Sequence, residues 1–168
     1  TMAGTIREMD FAQNYAVAAR DYGRSAEIAQ TYGFGKAYGS YEELVEDAGV
    51  ELVYIATPHS HHYEHIKLCL NHGKHVLCEK SFTVNESQAR EVLALAREKK
   101  LLLTEAIWTR YMPMRKTLDS VLSSGVIGRP YMLTANLGDI ISGKERIMRP
   151  ELAGGALLDV GIYPLNYA

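Results

Sequence analysis

The chain has 168 residues and a formal net charge of −2, enough for one compact domain or one domain and part of another, with no basic excess to suit nucleic acid. Hydrophobic residues make up 47% and charged residues 23%, ample for a core in an ordinary water-facing protein. No apolar run approaches the ~18 residues of a membrane helix. The two cysteines, Cys69 and Cys78, form no CxxC pair and fall in apolar segments. They read as buried free thiols in a cytoplasmic protein, not as a disulfide framework.

Residues 2–7 read as the tail of a helix. An apolar run at 15–19 predicts a short strand, and 24–32 predicts a helix stopped by Gly33. Ser40 and Glu43 have capping-box spacing, which predicts a helix to about Asp47, ended at Gly49. Residues 51–57 are a near-continuous apolar run, as a strand covered on both faces requires, and Pro58 stops it. Ser60 can cap a helix to Asn71, ended by Gly73, whose His62, Ile66, Cys69 and Leu70 share a face. Residues 75–78 are the next strand. Asn85 and Gln88 sit at cap spacing ahead of the stripe Ala89, Val92, Leu93 and Ala96. A strand at 101–106 follows, then a helix marked by Leu118, Val121 and Leu122 and ended by Gly125. Residues 131–137 read as a strand of a different sheet, and the segment from Pro150 as helical at its start. This alternation predicts an α/β fold with a doubly wound parallel sheet.

The chemistry-bearing residues fall at the ends of these strands, where open α/β sheets place ligands. Cys78-Glu79-Lys80 puts a charged pair at the end of an apolar strand, and burying an unpaired charge is expensive. A lysine there can polarise a carbonyl or hydroxyl oxygen and favour proton loss from a neighbouring acid; a surface ion pair is the plainer alternative. Trp108 and Arg110 follow the next strand and lie on the same rim, unless the tryptophan is core and the arginine surface. Arg20 ends the first strand, where an acid would suit the free 2′-hydroxyl of NAD and an arginine suits the 2′-phosphate of NADP; a turn arginine beside Asp21 is the alternative. Thr57-Pro58-His59 reads as a loop over a cofactor, with His62 in the helical turn beyond. His61 and His65 are one helical turn apart, as zinc ligands can be, yet neither the Glu of HExxH nor a Cys pair completes a site, so no metal is expected. Gly154-Gly155 allows close backbone approach. Asp159 and Tyr163, four apart, share a face on a helix, where a carboxylate and a phenol can orient a substrate and move a proton.

Together, Ala56-Thr57-Pro58-His59-Ser60-His61-His62, Glu79-Lys80-Ser81 and the run from Gly154-Gly155 through Asp159 and Gly161 to Tyr163 resemble the glucose-fructose oxidoreductase / inositol dehydrogenase (Gfo/Idh/MocA) family. Glu105-Ala106-Ile107-Trp108-Thr109-Arg110-Tyr111, with Tyr163, resembles its dimeric dihydrodiol dehydrogenase branch. The resemblance implies an NAD(P)-dependent oxidoreductase with a Rossmann domain over 1–107 and the start of an α/β substrate and dimerisation domain over 108–168. It implies Lys80 as the catalytic lysine, Tyr163 as proton donor and Asp159 as substrate-positioning acid. Cofactor contacts would come from Arg20, Ala56, Thr57, Pro58, His59, His62, Glu79, Lys80, Trp108 and Arg110. NADP is expected ahead of NAD. The expected partners are a small-molecule substrate (a sugar, polyol or dihydrodiol) and further copies of the chain, with neither nucleic acid nor membrane.

Three departures qualify that expectation. Ser81 replaces the usual proline of Glu-Lys-Pro and is expected to loosen the turn. Gly33-Phe34-Gly35 lacks the third glycine of a dinucleotide turn and neither follows a strand nor opens a helix, so it reads as a helix stop. The chain also ends at Ala168, short of most of the family's second domain. It therefore reads as a fragment, expected to be poorly soluble and inactive alone, of a parent that is an enzyme. A non-catalytic NADP-binding sensor or scaffold is the alternative; a methyltransferase would leave Glu79-Lys80 and the Gly-Gly-Asp-Tyr segment without explanation.

Overall fold

The computed structural model of the protein describes residues 2–168. A short helix, α1 (Met2–Ile6), is followed by β1 (Ala16–Ala18). Asp21 accepts a hydrogen bond from the Arg24 amide and so starts α2 (Tyr22–Tyr32) ahead of the expected residue 24. Gly33 ends it at φ 74°, a left-handed conformation open to glycine. β2 (Lys36–Tyr38) then pairs parallel to β1, with Val17 opposite Ala37. Sequence reading misses this strand, because three residues without an apolar run carry no strand signal. Before α3 (Tyr41–Glu46), Ser40 accepts from the Glu43 amide as the spacing predicts, while the Glu43 carboxylate reaches back one residue further than a capping box has it, to the Gly39 amide.

β3 (Leu52–Ile55) leads through a tight turn at His59–His61 into α4 (His62–Asn71). Ser60 does not cap this helix: its hydroxyl pairs with His61 Nδ1, and the helix starts without a side-chain cap. β4 (His75–Cys78) follows, then α5 (Glu86–Lys99), capped as expected by Asn85 through the Gln88 amide. β5 (Leu103–Glu105), a turn at Trp108–Tyr111 and α6 (Pro113–Ser123) come next. Residues 131–137 form no strand; Tyr131 and Met132 stand exposed, and no strand among the described residues lies beside them to supply a ladder. The chain closes with α7 (Glu145–Met148), a π-helical turn at Leu157–Gly161 and α8 (Ile162–Tyr167).

The strands are parallel throughout, as the alternation requires, and form two ladders: β1–β2 and β3–β4–β5. In the larger ladder Tyr54 stands opposite Leu77, and Leu77 opposite Thr104. Val76 and Cys78 bury completely in one cluster with Ile66, Cys69 and Leu70 of α4 and Val92 and Ala96 of α5. The other face is thinner: Leu77 is half-buried and Leu52 is 48% exposed, so the expectation of a sheet sealed on both faces is corrected. Both thiols are buried and free, and burial pushes Cys69 up to about 12. Among the described residues no helix is long and apolar enough to cross a membrane.

Leu70, fully buried between helix and sheet, should report on this core. Leu70→Ala is expected to cost about 2–5 kcal/mol, read as a lowered denaturant midpoint with an unchanged slope.

Candidate active site

Parallel strands aim their carboxyl ends at one rim, so β3, β4 and β5 deliver Ala56–His59, Glu79–Phe82 and Ala106–Trp108 to the same edge. The turn after β4 is gripped from several sides. The Tyr54 hydroxyl of β3 donates to Glu79 Oε1, and Glu79 Oε2 accepts from the Lys80 amide at 3.2 Å. The Phe82 amide donates to Glu105 Oε1 of β5 at 2.9 Å. His62, wholly buried at the start of α4, places Nδ1 2.8 Å from the Ser81 carbonyl oxygen and Nε2 2.8 Å from that of Thr57. The Lys80–Ser81 peptide is cis. Serine does not loosen this turn: the Ser81 hydroxyl donates to the Leu158 carbonyl and ties it to the chain's last segment.

That last segment comes close because of its glycines. The Gly155 amide, at φ 112°, donates to the Ile147 carbonyl at 2.7 Å, and a Cβ on Gly154 would strike the same carbonyl. The π-helical turn then presents Asp159 to Lys80, whose Nζ donates to Asp159 Oδ1 at 3.0 Å and also to its backbone oxygen. Lys80 Nζ also lies 5.2 Å from the centre of the Tyr163 ring, over its face. The lysine thus meets the phenol through the ring; the Tyr163 hydroxyl accepts instead from the Trp108 indole at 3.1 Å. Burial pushes the Asp159 carboxyl up, but the hydrogen bond and charge of Lys80, with Arg146 behind, outweigh it and hold the group below its ordinary value.

Ala56, Thr57, Pro58, His59, Glu79, Lys80 and Arg146 enclose a cavity of about 180 Å³. A larger cavity of about 410 Å³ is bordered by Ile147, Met148 and Gly154 and by no charged side chain, so the charged groups gather at the smaller one. The expected residues divide accordingly. Lys80, Asp159, Tyr163 and Trp108 form one contact chain, and Trp108, 58% exposed, is not core. His62 braces two loops from within the fold and does not line the cavity. Arg110 is exposed and also outside the lining. Arg20 is exposed beyond β1, and Asp21 is occupied in capping α2, which leaves the guanidinium available to an anion. Two residues escape sequence reading. Arg146 lines the cavity and donates to Asp159 Oδ1 at 3.4 Å; its only signal is a basic residue shortly before Gly154-Gly155. Tyr54 looks like any strand tyrosine until Glu79 is placed beside it.

The histidines give this region a pH signature. Burial lowers His59, and the opposing Ala153 carbonyl, 3.0 Å from Nδ1, only partly restores it. Burial also lowers His65, helped by its neighbour His61. A histidine lowered in the fold contributes stability that is complete above its unfolded value of roughly 6.5 and is lost as pH falls through the lower folded value. The urea midpoint is therefore expected to fall between pH 7.5 and pH 5, with a shallower fall in His59→Gln. An equal slope in both proteins would remove His59 from the account.

Residues 2–107 match a family described as an oxidoreductase family with an NAD-binding Rossmann fold, Gfo/Idh/MocA. Human trans-1,2-dihydrobenzene-1,2-diol dehydrogenase is 47% identical over 155 residues, covering 92% of this chain and 46% of that protein. The D-xylose 1-dehydrogenase (NADP(+)) of Hypocrea jecorina is 45% identical over 142 residues, covering 79% of this chain and 36% of that protein. A 3-ketoreductase from Actinomadura kijaniata, solved with NADP and TDP-benzene, superposes with a TM-score of 0.83 at 31% identity, over 99% of this chain and 51% of its own. The chain spans about half the length, or less, of these relatives. With a parallel α/β fold, a charged rim and these relatives in agreement, the chain belongs to the Gfo/Idh/MocA oxidoreductase family, in its dihydrodiol dehydrogenase branch.

Proposed function

We propose that the protein is an NADP-dependent dehydrogenase of a sugar, polyol or dihydrodiol, with residues 1–107 as its nucleotide-binding domain and 108–168 as the start of its substrate domain. The observation that carries this reading is Lys80, held between Asp159 and the Tyr163 ring in the lining of the cavity that the Thr57–His59 loop borders. The residues fit the cofactor at two places: the cavity at the ends of β3 and β4 suits the nicotinamide, and the Arg20 guanidinium, which no acceptor among the described residues engages, suits the 2′-phosphate. The chemistry a bound nicotinamide supplies is hydride exchange, in which the substrate carbon gives up its hydrogen with the bonding pair while the hydroxyl gives up a proton, leaving a carbonyl.

The chain's own part is the proton and the orientation. In oxidation the deprotonated Tyr163 oxygen takes the proton that the substrate hydroxyl gives up, and in reduction the Tyr163 hydroxyl returns it; the Trp108 indole, which donates to that oxygen, steadies the charge it carries when deprotonated. Asp159 fixes the Lys80 ammonium, so the cation is in place before substrate arrives. Glu79, held by Tyr54 and the Lys80 amide, fixes the adjoining wall.

Lys80→Ala and Tyr163→Phe in the full-length protein should each lower kcat by about 100-fold or more, the scale of acid–base catalysis, and leave NADPH affinity within a few-fold. Unchanged turnover in both would overturn the assignment. Arg20→Ala should weaken NADPH binding by about tenfold, the size of a charge-assisted contact, without changing NADH binding. An equal loss for both cofactors would remove Arg20 from the 2′-phosphate site.

A further inference from the structure

We propose that His65 shares the ribose 2′-phosphate of NADP with Arg20, so that α4 takes part in selecting NADP over NAD. The proposal rests on the dehydrogenase reading above and assigns to it a residue that the proposed reaction leaves unused. His65 is half-buried on the first turn of α4. Its Nδ1 lies 3.0 Å from the Thr57 hydroxyl. That hydroxyl has no other acceptor among the described residues, so its proton serves Nδ1, and the neutral ring carries its own proton on Nε2. Nε2 has no partner among the described residues, and it is not sealed from water. The ring is thus fixed from one side and offers an open donor on the other.

The fold brings Arg20 to this ring. Arg20 follows β1, and Tyr22 opens α2 two residues later. A Cβ on Gly39 would lie 3.4 Å from the Tyr22 Cβ, so the turn after β1 rests against the turn before α3. Tyr41, the first residue of α3, meets His65 in a T-shaped contact with ring centres 4.6 Å apart. The charge of Arg20 reaches the imidazole. Burial holds His65 below its ordinary value, and the charges of His61, His62 and Arg20 add to that against Glu42. An anion held by both the guanidinium and the ring relieves this repulsion and gains a charge-assisted bond. The Lys80 cavity is a separate place, and neither residue lines it. Metal is the rival ligand, since His61 lies four residues before His65 with ring centres 5.7 Å apart. Among the described residues no third histidine, cysteine or carboxylate completes such a group, whereas a structural zinc takes four ligands.

The test measures calorimetric Kd values for NADP+, NAD+ and 2′-AMP at neutral pH, on full-length wild type, His65→Phe, His65→Leu and His65→Gln. Phenylalanine keeps a ring against Tyr41 and removes the donor; leucine removes the donor without requiring room for a phenyl ring. Either is expected to raise Kd for NADP+ and for 2′-AMP about tenfold and to leave Kd for NAD+ within about twofold. His65→Gln, which keeps an N–H, should recover part of the loss. Equal weakening of NADP+ and NAD+, or no change for NADP+, overturns the proposal. So does a loss for NADP+ with 2′-AMP unchanged, since the effect would then travel through Thr57 to the other end of the cofactor. A wild type that binds NADP+ and 2′-AMP but oxidises no sugar, polyol or dihydrodiol refutes the dehydrogenase reading alone, and the Kd values still decide the role of His65.

Discussion

Lys80 and Asp159 leave only 14% and 5% of their side chains exposed, and at that depth neither charge can stand alone. Taking one partner from such a pair typically costs about 3–5 kcal/mol, because the other stays buried and uncompensated. The two residues come from distant parts of the chain, the end of β4 and the π-helical turn before α8. Their pairing therefore fixes where the last segment meets the sheet. Nearby contacts repeat the instruction: Ser81 with the Leu158 carbonyl, His59 with the Ala153 carbonyl, and Trp108 with Tyr163. None of the neutral contacts carries the penalty for misplacement that the ion pair does.

The lysine can serve as the reference point because its own turn is immobilised by neighbours on the sheet. Tyr54 is pushed up by burial and by the Glu79 carboxylate it donates to, so it stays a neutral donor at working pH. Glu105 is pushed up by burial and pulled back by the Phe82 amide. His62 reaches two backbone oxygens, one in each loop that borders the cavity. These three side chains come from β3, β5 and α4, so the position of Lys80 depends on the packing of the β3–β4–β5 ladder. A side chain held this way needs little reorganisation when a ligand arrives.

Local signals were legible in the sequence. Ser40 with Glu43 and Asn85 with Gln88 are read correctly because a cap and its partner lie within one turn. The stripe that buries Val92 and Ala96 and the charged end of β4 were legible for the same reason. Apart from Ser60, whose hydroxyl turns to the neighbouring His61 Nδ1 instead of capping α4, what escaped depends on distant partners. Lys36–Tyr38 becomes a strand only because β1 lies beside it, and residues 131–137 carry a strand pattern with no neighbour among the described residues to pair with. His62 continues an apolar helical face, which signals burial, but not that its ring would link the Thr57 and Ser81 carbonyls. Arg146 reaches the cavity and Asp159 only when Gly154-Gly155 folds the chain back onto the Ile147 carbonyl.

The two walls of the cavity are held unequally. The sheet-side wall rests on the turn that Tyr54, Glu105 and His62 secure, beneath which Val76 and Cys78 are fully buried. The opposite wall is α7, four residues long, entered from a stretch in which Tyr131, Met132 and Ile140 are exposed. Its anchors are Ile147, which is buried, the glycine contacts to the Ile147 and Arg149 carbonyls, and the long Arg146–Asp159 bond. Segments with few buried contacts open at lower free energy than core elements. The two walls therefore differ in how they are held: Lys80 is fixed on the sheet side, whereas Arg146 rides on the more lightly anchored α7.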